Sequence, residues 1–169
     1  VFGHSSLSLN LDYQNLSPYY RVYPSRTDFK QPYGMFSGAA QYRYTPDERT
    51  VFKLYAGYDR TSFSNYADAD RHLFGLGENN VYLNTTFRKR AASGWNWFFG
   101  AAYSFYDRRV GGAVTGGDAW SERQQELHLK VRSFRQFTPW LRLDAGVETF
   151  IRSYRDYYRF ELLYDENRM

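Results

Sequence analysis

The segment SSLSLNLDYQ, Ser5–Gln14, places Leu7, Leu9, Leu11 and Tyr13 on one side of an extended strand, and Ser6, Ser8, Asn10, Asp12 and Gln14 on the other. The division follows from the period-two alternation of strand side chains. Such a strand needs an apolar medium against one face and a polar one against the other. The fold turns on what each face meets.

The same alternation recurs along the chain. In PYGMFSGAAQYRY, Phe36, Gly38, Ala40, Tyr42 and Tyr44 oppose Ser37, Ala39, Gln41 and Arg43. In VFKLYAGYD, Phe52, Leu54, Ala56 and Tyr58 oppose Lys53, Tyr55 and Asp59. NVYLNTTFRK sets Val81, Leu83, Thr85 and Phe87 against Tyr82, Asn84, Thr86 and Arg88. WNWFFGAAYSFYD sets Trp95, Trp97, Phe99, Ala101, Tyr103 and Phe105 against Asn96, Gly100 and Ser104. QELHLKVR and LRLDAGVETFIR continue it, with Glu126, His128, Lys130 and Arg132 on one polar edge and Arg142, Asp144, Glu148 and Arg152 on the next. A weaker eighth run, YYRFELLY, opposes Tyr158, Phe160, Leu162 and Tyr164 to Arg159 and Glu161. No helical period competes, so the expected class is all-β. Runs of roughly 9–12 residues match what a tilted strand needs to cross a bilayer, and exceed the usual strand of a soluble sheet.

The connections alternate in length. Long segments are expected from Gln14 to about Gln31, from Arg60 to about Glu78 and from Asp107 to Arg123. Short ones fall at TPDER (Thr45–Arg49), KRAASG (Lys89–Gly94) and RQFTPW (Arg135–Trp140). An up-and-down antiparallel sheet gives this alternation when all the long loops emerge at one end, as in outer-membrane barrels with short periplasmic turns and long extracellular loops. Aromatic residues reinforce it. Tyr42, Tyr44, Phe52, Phe87, Trp95, Trp97, Phe134, Phe137 and Trp140 gather beside the short turns, and Tyr13, Tyr58, Tyr103 and Phe105 lie toward the opposite ends. Two aromatic girdles around an aliphatic band suit the headgroup levels of a membrane. A soluble β-sandwich or lipocalin-like barrel would share the alternation, but neither the strand lengths nor the loop pattern.

Composition agrees. Aromatic residues make up 21% of 169 residues, with 17 Tyr and 14 Phe, while mean hydropathy is only −0.70. No run of about 18 apolar residues is present, which excludes a transmembrane helix in this sequence. Cysteine is absent, which removes disulfides, thiolate metal sites and cysteine nucleophiles together. The net charge of +4 comes from interspersed residues, so no clustered nucleic-acid footprint is visible.

Chemical motifs are few. His4 precedes Ser5 and Ser6, but no acidic group stands where it would orient the histidine, and no catalytic site is expected. YADADRH spaces Asp68, Asp70 and His72 by two, short of the six to eight oxygen ligands that Ca²⁺ takes; no metal and no cofactor is expected. VGGAVTGGD lacks the GK[ST] and the following helix of a phosphate loop. The long connections instead carry Tyr19, Tyr20, Arg21, Tyr23, Arg26, Tyr66, Arg71, Arg108, Arg109 and Trp120. Aromatics beside arginines suit a glycan, an aromatic chelate or a peptide, through stacking and charge-assisted hydrogen bonds.

The stretches LSLNLDYQNLSPYYRVYPSRTDF, FKLYAGYDRTSFSNY, RHLFGLGENNVYLNTTFRKRAASGWNWFFGAAYSFYDRR and LHLKVRSFRQFTPWLRLDAGVETFIRSY resemble the mid-barrel of TonB-dependent outer-membrane receptors, particularly those of Bacteroidetes-type bacteria. The resemblance implies a 22-stranded barrel, a plug domain inside it and a segment that engages TonB. The implied function is uptake of a siderophore, cobalamin, a glycan or a peptide across the outer membrane. Residues 1–169 are then expected to be one partial barrel domain without its plug, binding substrate by the long loops and lumen face. Its partners would be the bilayer, the plug and TonB through the remainder of a parent chain, and the substrate; no nucleic acid is implied. Two other readings fit the alternation: a complete eight-stranded barrel serving as anchor or adhesin, and an outer-membrane lipid hydrolase or acyltransferase.

Overall fold

The computed structural model describes residues 3–23, 27–68, 71–112 and 119–159, and its regular structure is all strand. In chain order these are β1 (His4–Leu16), β2 (Tyr19–Val22), β3 (Thr27–Lys30), β4 (Tyr33–Asp47), β5 (Thr50–Ala67), β6 (Arg71–Arg90), β7 (Asn96–Gly111), β8 (Ala119–Thr138) and β9 (Leu141–Arg159). Seven of them form one antiparallel up-and-down sheet in the order β1-β4-β5-β6-β7-β8-β9, while β2 and β3 make a hairpin whose second strand joins the far end of β5. Among the described residues β1 and β9 do not pair with each other, so the sheet is open. No helix among them is long and apolar enough to cross a membrane.

Pairing carries each residue across all seven strands, and the two faces stay distinct. Leu9 lies opposite Ala40, and the row continues through Ala56, Leu83, Tyr103, Leu127 and Ile151. The row nearer the short turns runs Leu7, Tyr42, Leu54, Thr85, Ala101, Leu129 and Thr149. On the opposite face the neighbouring row is Asn10, Ala39, Gly57, Tyr82, Ser104, Glu126 and Arg152. The alternation seen in single strands therefore adds up to one continuous apolar face and one continuous polar face. No second layer covers the apolar face: Ala67 is the one buried apolar residue among those described, and Leu11 and Val147 are more than 70% exposed.

The short turns set the register from which these rows follow. Between β4 and β5 the Asp47 carboxylate accepts the Arg49 N–H at 2.7 Å and the Thr50 hydroxyl at 3.1 Å. That backbone hydrogen bond holds its pKa below the usual carboxylate range. Between β6 and β7 the chain turns through Gly94, whose φ of +84° lies in the left-handed region that favours glycine. Between β8 and β9 the Thr138 hydroxyl accepts the Leu141 N–H at 3.0 Å.

Several expectations need correction. The long connections are mostly strand: β5 runs to Ala67 and β6 begins at Arg71, while β7 reaches Gly111 and β8 begins at Ala119. The segments TSFSNYA and RHLFGL are rich in β-forming Thr, Phe and Tyr, and the ladder continues through them with one register shift at Asn65/Tyr66. Strands here reach 20 residues, well beyond the expected nine to twelve. The first long connection folds into the β2–β3 hairpin. The eighth run is not a separate strand as far as it is described: Tyr157–Arg159 complete β9, and Tyr158 falls on the polar-face row with Trp120. Its later residues lie outside the described set. Phe134 also leaves the expected girdle, since it stands on the polar face under the Arg142 guanidinium, 4.3 Å from its ring centroid.

Candidate functional site

Nine of the ten candidate ligand residues divide among three places. The first is the β2–β3 hairpin. Tyr20 stacks on Phe29 with centroids 5.4 Å apart, and its hydroxyl accepts Gln31 Nε2 at 2.7 Å. Arg21 forks onto Asp28, with Nε–Oδ1 at 2.5 Å and Nη2–Oδ2 at 2.9 Å. Hydrogen bonding from Arg21 holds the Asp28 carboxyl down at about 2, and the same carboxylate pushes the Tyr19 hydroxyl up. Tyr23 lies in the turn that follows β2, and Arg26 lies outside the described residues. The hairpin is tied to β5 by the Asp68 N–H, which donates to the Asp28 carbonyl at 2.8 Å. Tyr66 packs its ring on His72 at 5.1 Å. Among the described residues Arg71 reaches Asp68, at 3.8 Å.

The second place is the polar face of β6, β7, β8 and β9 beyond the aliphatic band. Arg108 Nε donates to Glu78 Oε1 at 2.6 Å, and the Tyr106 hydroxyl donates to the same oxygen at 3.1 Å. The Arg108 guanidinium lies 5.6 Å from both the Tyr106 and the Trp120 ring centroids. Trp120 stacks on Tyr158, with centroids 6.2 Å apart and planes 13° apart. Trp120 Nε1 is buried and has no acceptor among the described residues. The row through Arg108 also holds Glu122 and Asp156. Tyr154, one row toward the short turns, donates to Asp156 Oδ2 at 2.6 Å. Cross-strand pairing thus assembles one paired arginine, three carboxylates and four aromatic rings on one surface.

Arg109 is in the third place. It follows Arg108 on β7 and therefore points to the opposite, apolar-side face, where its Nε bonds Asp107 Oδ2 at 3.1 Å. Sequence reasoning grouped Arg108, Arg109 and Trp120 as one loop set; the strand separates Arg109 from the other two. It also missed Glu78, Tyr106, Tyr154, Asp156 and Tyr158. The signal that could have found them is the period-two alternation itself, carried on past the aliphatic band.

The polar face changes character along its length. Toward the short turns, Arg88, Arg90, Lys130, Arg132, Phe98 and Phe134 border a depression of about 570 Å³. There Arg132 and Arg142 share Asp144, while Lys130 at 3.0 Å and His128 at 2.6 Å share Glu148. Toward the loop end, Asp12, Asp59, Glu78, Glu122 and Asp156 face Arg108 as the single cation of their two rows among the described residues. The field therefore runs from basic to acidic along the strands.

The histidine and metal motifs make no such constellation. His4 and Ser5 lie on opposite faces of β1, and no hydrogen bond joins His4 to Ser6 among the described residues. Asp68 turns to Arg71 and His72 to Tyr66, while Asp70 lies outside the described residues. Among those described, no group of three or more His, Asp or Glu is placed to hold a metal ion. Of the glycine-rich VGGAVTGGD, only Val110–Gly112 are described, Val110 and Gly111 completing β7. No family model matches the chain, and no curated protein matches it.

Proposed function

We propose that the chain is a section of a TonB-dependent receptor barrel in the bacterial outer membrane, and that it takes up substrate through the polar face beyond the aliphatic band. The supporting observation is the single uncovered sheet with one continuous apolar face. Leu7, Leu9, Leu11, Val147 and Ile151 are each more than 60% exposed, and no layer of the described residues meets them. Hydrocarbon is the medium that makes such a face stable, and the stretch from Trp97 to Phe105 on β7 has the roughly nine residues a tilted strand needs to span it. In lipid an unpaired sheet edge leaves backbone groups unsatisfied at high cost. Among the described residues the outer edges of β1 and β9 are unpaired, which favours further strands of a larger barrel over a closed eight-stranded one.

Substrate class follows from the loop-end surface. Glu78, Glu122 and Asp156 outnumber Arg108, so an anionic chelate is disfavoured there by the local field. Tyr154 and Tyr158 are exposed and offer ring surface, with Tyr106 and Trp120 packed beside Arg108 behind them. A neutral or amino-substituted glycan, or a cationic peptide, fits this chemistry better than a siderophore or cobalamin.

The absence of native cysteine makes a direct test simple. Single cysteines are placed at outward Leu83 and at inward Tyr82, and cells are treated with a water-soluble maleimide. Tyr82→Cys should label and Leu83→Cys should not until detergent is added. Equal labelling at both sites would sink the membrane reading. Uptake that persists at full rate in cells lacking TonB would sink the receptor reading alone.

A further inference from the structure

We infer that the outward face of β5 to β9, immediately beyond the aliphatic band at the loop end, binds the phosphorylated headgroup of a glycolipid in the leaflet on that side. This inference rests on the membrane reading proposed above.

The outward row that follows Tyr58, Val81 and Phe105 changes abruptly to Arg60, Asn79, Asp107, Arg123 and Arg155. Arg109 stands one row further out, on the same side as Asp107. Asp107 is only 6% exposed, because Arg109 Nε at 3.1 Å and Arg123 Nε at 3.2 Å close over its two oxygens. The carboxylate fixes those guanidiniums in place without using them up, since the Arg109 side chain remains 70% exposed and that of Arg123 45%. Arg109, Arg123, Arg155 and Tyr157, with Asp107, border one depression of about 450 Å³, and Arg60 and Arg109, with Glu78, border a second of about 330 Å³. Two guanidiniums thus close over one carboxylate, and Arg155 and Arg60 stand on the same outward row to either side.

The pairing carries a second indication. Arg123 and Arg155 are direct cross-strand partners on one face, an arrangement of like charges that destabilises a sheet. Asp107 relieves Arg123 alone. A phosphate between the two would relieve both, because arginine forks match its oxygens in pairs. Depth selects the source. The patch lies one row beyond Phe105 and Tyr58, the outer girdle, where headgroups begin. The inward face at the same height is acidic, so a soluble anion drawn to the lumen would not be led to this side.

The experiment uses the protein extracted from membranes into a neutral detergent and examined by native mass spectrometry. The probes are a diphosphorylated glucosamine glycolipid (lipid A), its dephosphorylated form, and inorganic pyrophosphate. Lipid A adducts should exceed those of the dephosphorylated form, and Arg109→Ala/Arg123→Ala/Arg155→Ala should weaken them by roughly tenfold or more, given the contribution of each basic side chain at an anionic lipid surface. Arg60→Gln/Arg155→Gln, which leaves the Asp107 ion pairs alone, should weaken them several-fold and serves if the triple variant does not fold. Removing inward charge by Arg43→Ala/Lys53→Ala/Arg88→Ala should leave them unchanged. Equal adducts with both lipids, equal loss in the inward variant, or full competition by pyrophosphate would overturn the inference. Failure of the membrane reading itself would show differently, as protein absent from the membrane fraction before any probe is added.

Discussion

Arg108 and Arg109 are adjacent on β7, of one residue type, and at one height above the aliphatic band, yet they stand in opposite surroundings. Arg108 is paired with Glu78 and packed beside Tyr106 and Trp120, among carboxylates. Arg109 is mostly exposed, on a surface where arginines outnumber the single carboxylate Asp107. The difference comes from strand parity alone. In a sheet with one apolar and one polar face, whether a residue sits at an odd or even position decides which face it joins.

The largest effect should come from breaking that assignment inside the band. Leu83→Arg places a charge on the apolar face near mid-depth, where it is expected to cost about 2–4 kcal/mol in a membrane barrel. Its neighbour Asn84 faces the other way, and Asn84→Arg should cost little. Urea unfolding in lipid vesicles, read by loss of the heat-modifiable gel form, measures both. Equal costs at the two positions would mean that the faces do not meet different media. Next in size is the comparison between the arginines themselves. Trp120→Ala should weaken substrate binding about tenfold, in line with the worth of an aromatic stacking partner, and Arg108→Ala should weaken it by a similar factor. Arg109→Ala should leave it unchanged. A loss at Arg109 as great as at Arg108 would show that the ligand does not sit on the polar face.

How far this could be read from sequence depended on distance from the short turns. The class, the two faces and the positions of TPDER, KRAASG and RQFTPW as turns followed from alternation and turn chemistry. The loop-end surface did not, for a specific reason. Gly75 and Gly77 interrupt FGLGEN, and the segment reads as a loop, although Leu76, Glu78 and Asn80 still alternate with the glycines and Asn79. Once Arg90 pairs with Asn96 across the turn, the ladder leaves no choice: twelve residues back along β6 and twelve forward along β7 bring Glu78 opposite Arg108. Val110 meets Trp120, and Trp120 meets Tyr158, by the same stepping along β7, β8 and β9. The information is thus in the sequence as register, but only after the ladder is known to continue past the band. No residue type announces that. The β2–β3 hairpin was equally hidden, because its strands are four residues each, too short for alternation to register.

Smaller effects test the ion pairs of the polar face. Arg132→Ala removes the fork onto Asp144, but both groups are partly exposed and Arg142 still reaches Asp144 at 3.0 Å. The expected loss is small, as for exposed pairs generally, and the same vesicle assay would record it. A loss as large as that of Leu83→Arg would mean that the polar face is packed against protein more closely than the open sheet suggests.

The smallest effect belongs to the hairpin, which lies beyond the band and whose first strand is exposed throughout. Folding lowers the Asp28 pKa from an ordinary 3.8 to about 2, through hydrogen bonding from Arg21. A carboxylate whose pKa falls on folding contributes its stabilisation fully above the unfolded value, and that contribution fades as pH drops through the folded one. The stabilisation from the Arg21–Asp28 fork should therefore persist from neutral pH to about 4 and fade below it, and the fork itself should open with a midpoint near 2. Carboxyl carbon-13 shifts of Asp28 should titrate with a midpoint near 2, and Arg21→Gln should return the midpoint toward the ordinary value. A wild-type midpoint already near 3.8 would mean that the fork does not form in solution. The hairpin would then reach the sheet through its backbone alone, by the Asp68 N–H to the Asp28 carbonyl and the pairing of Phe29 and Lys30 with Ala67 and Tyr66.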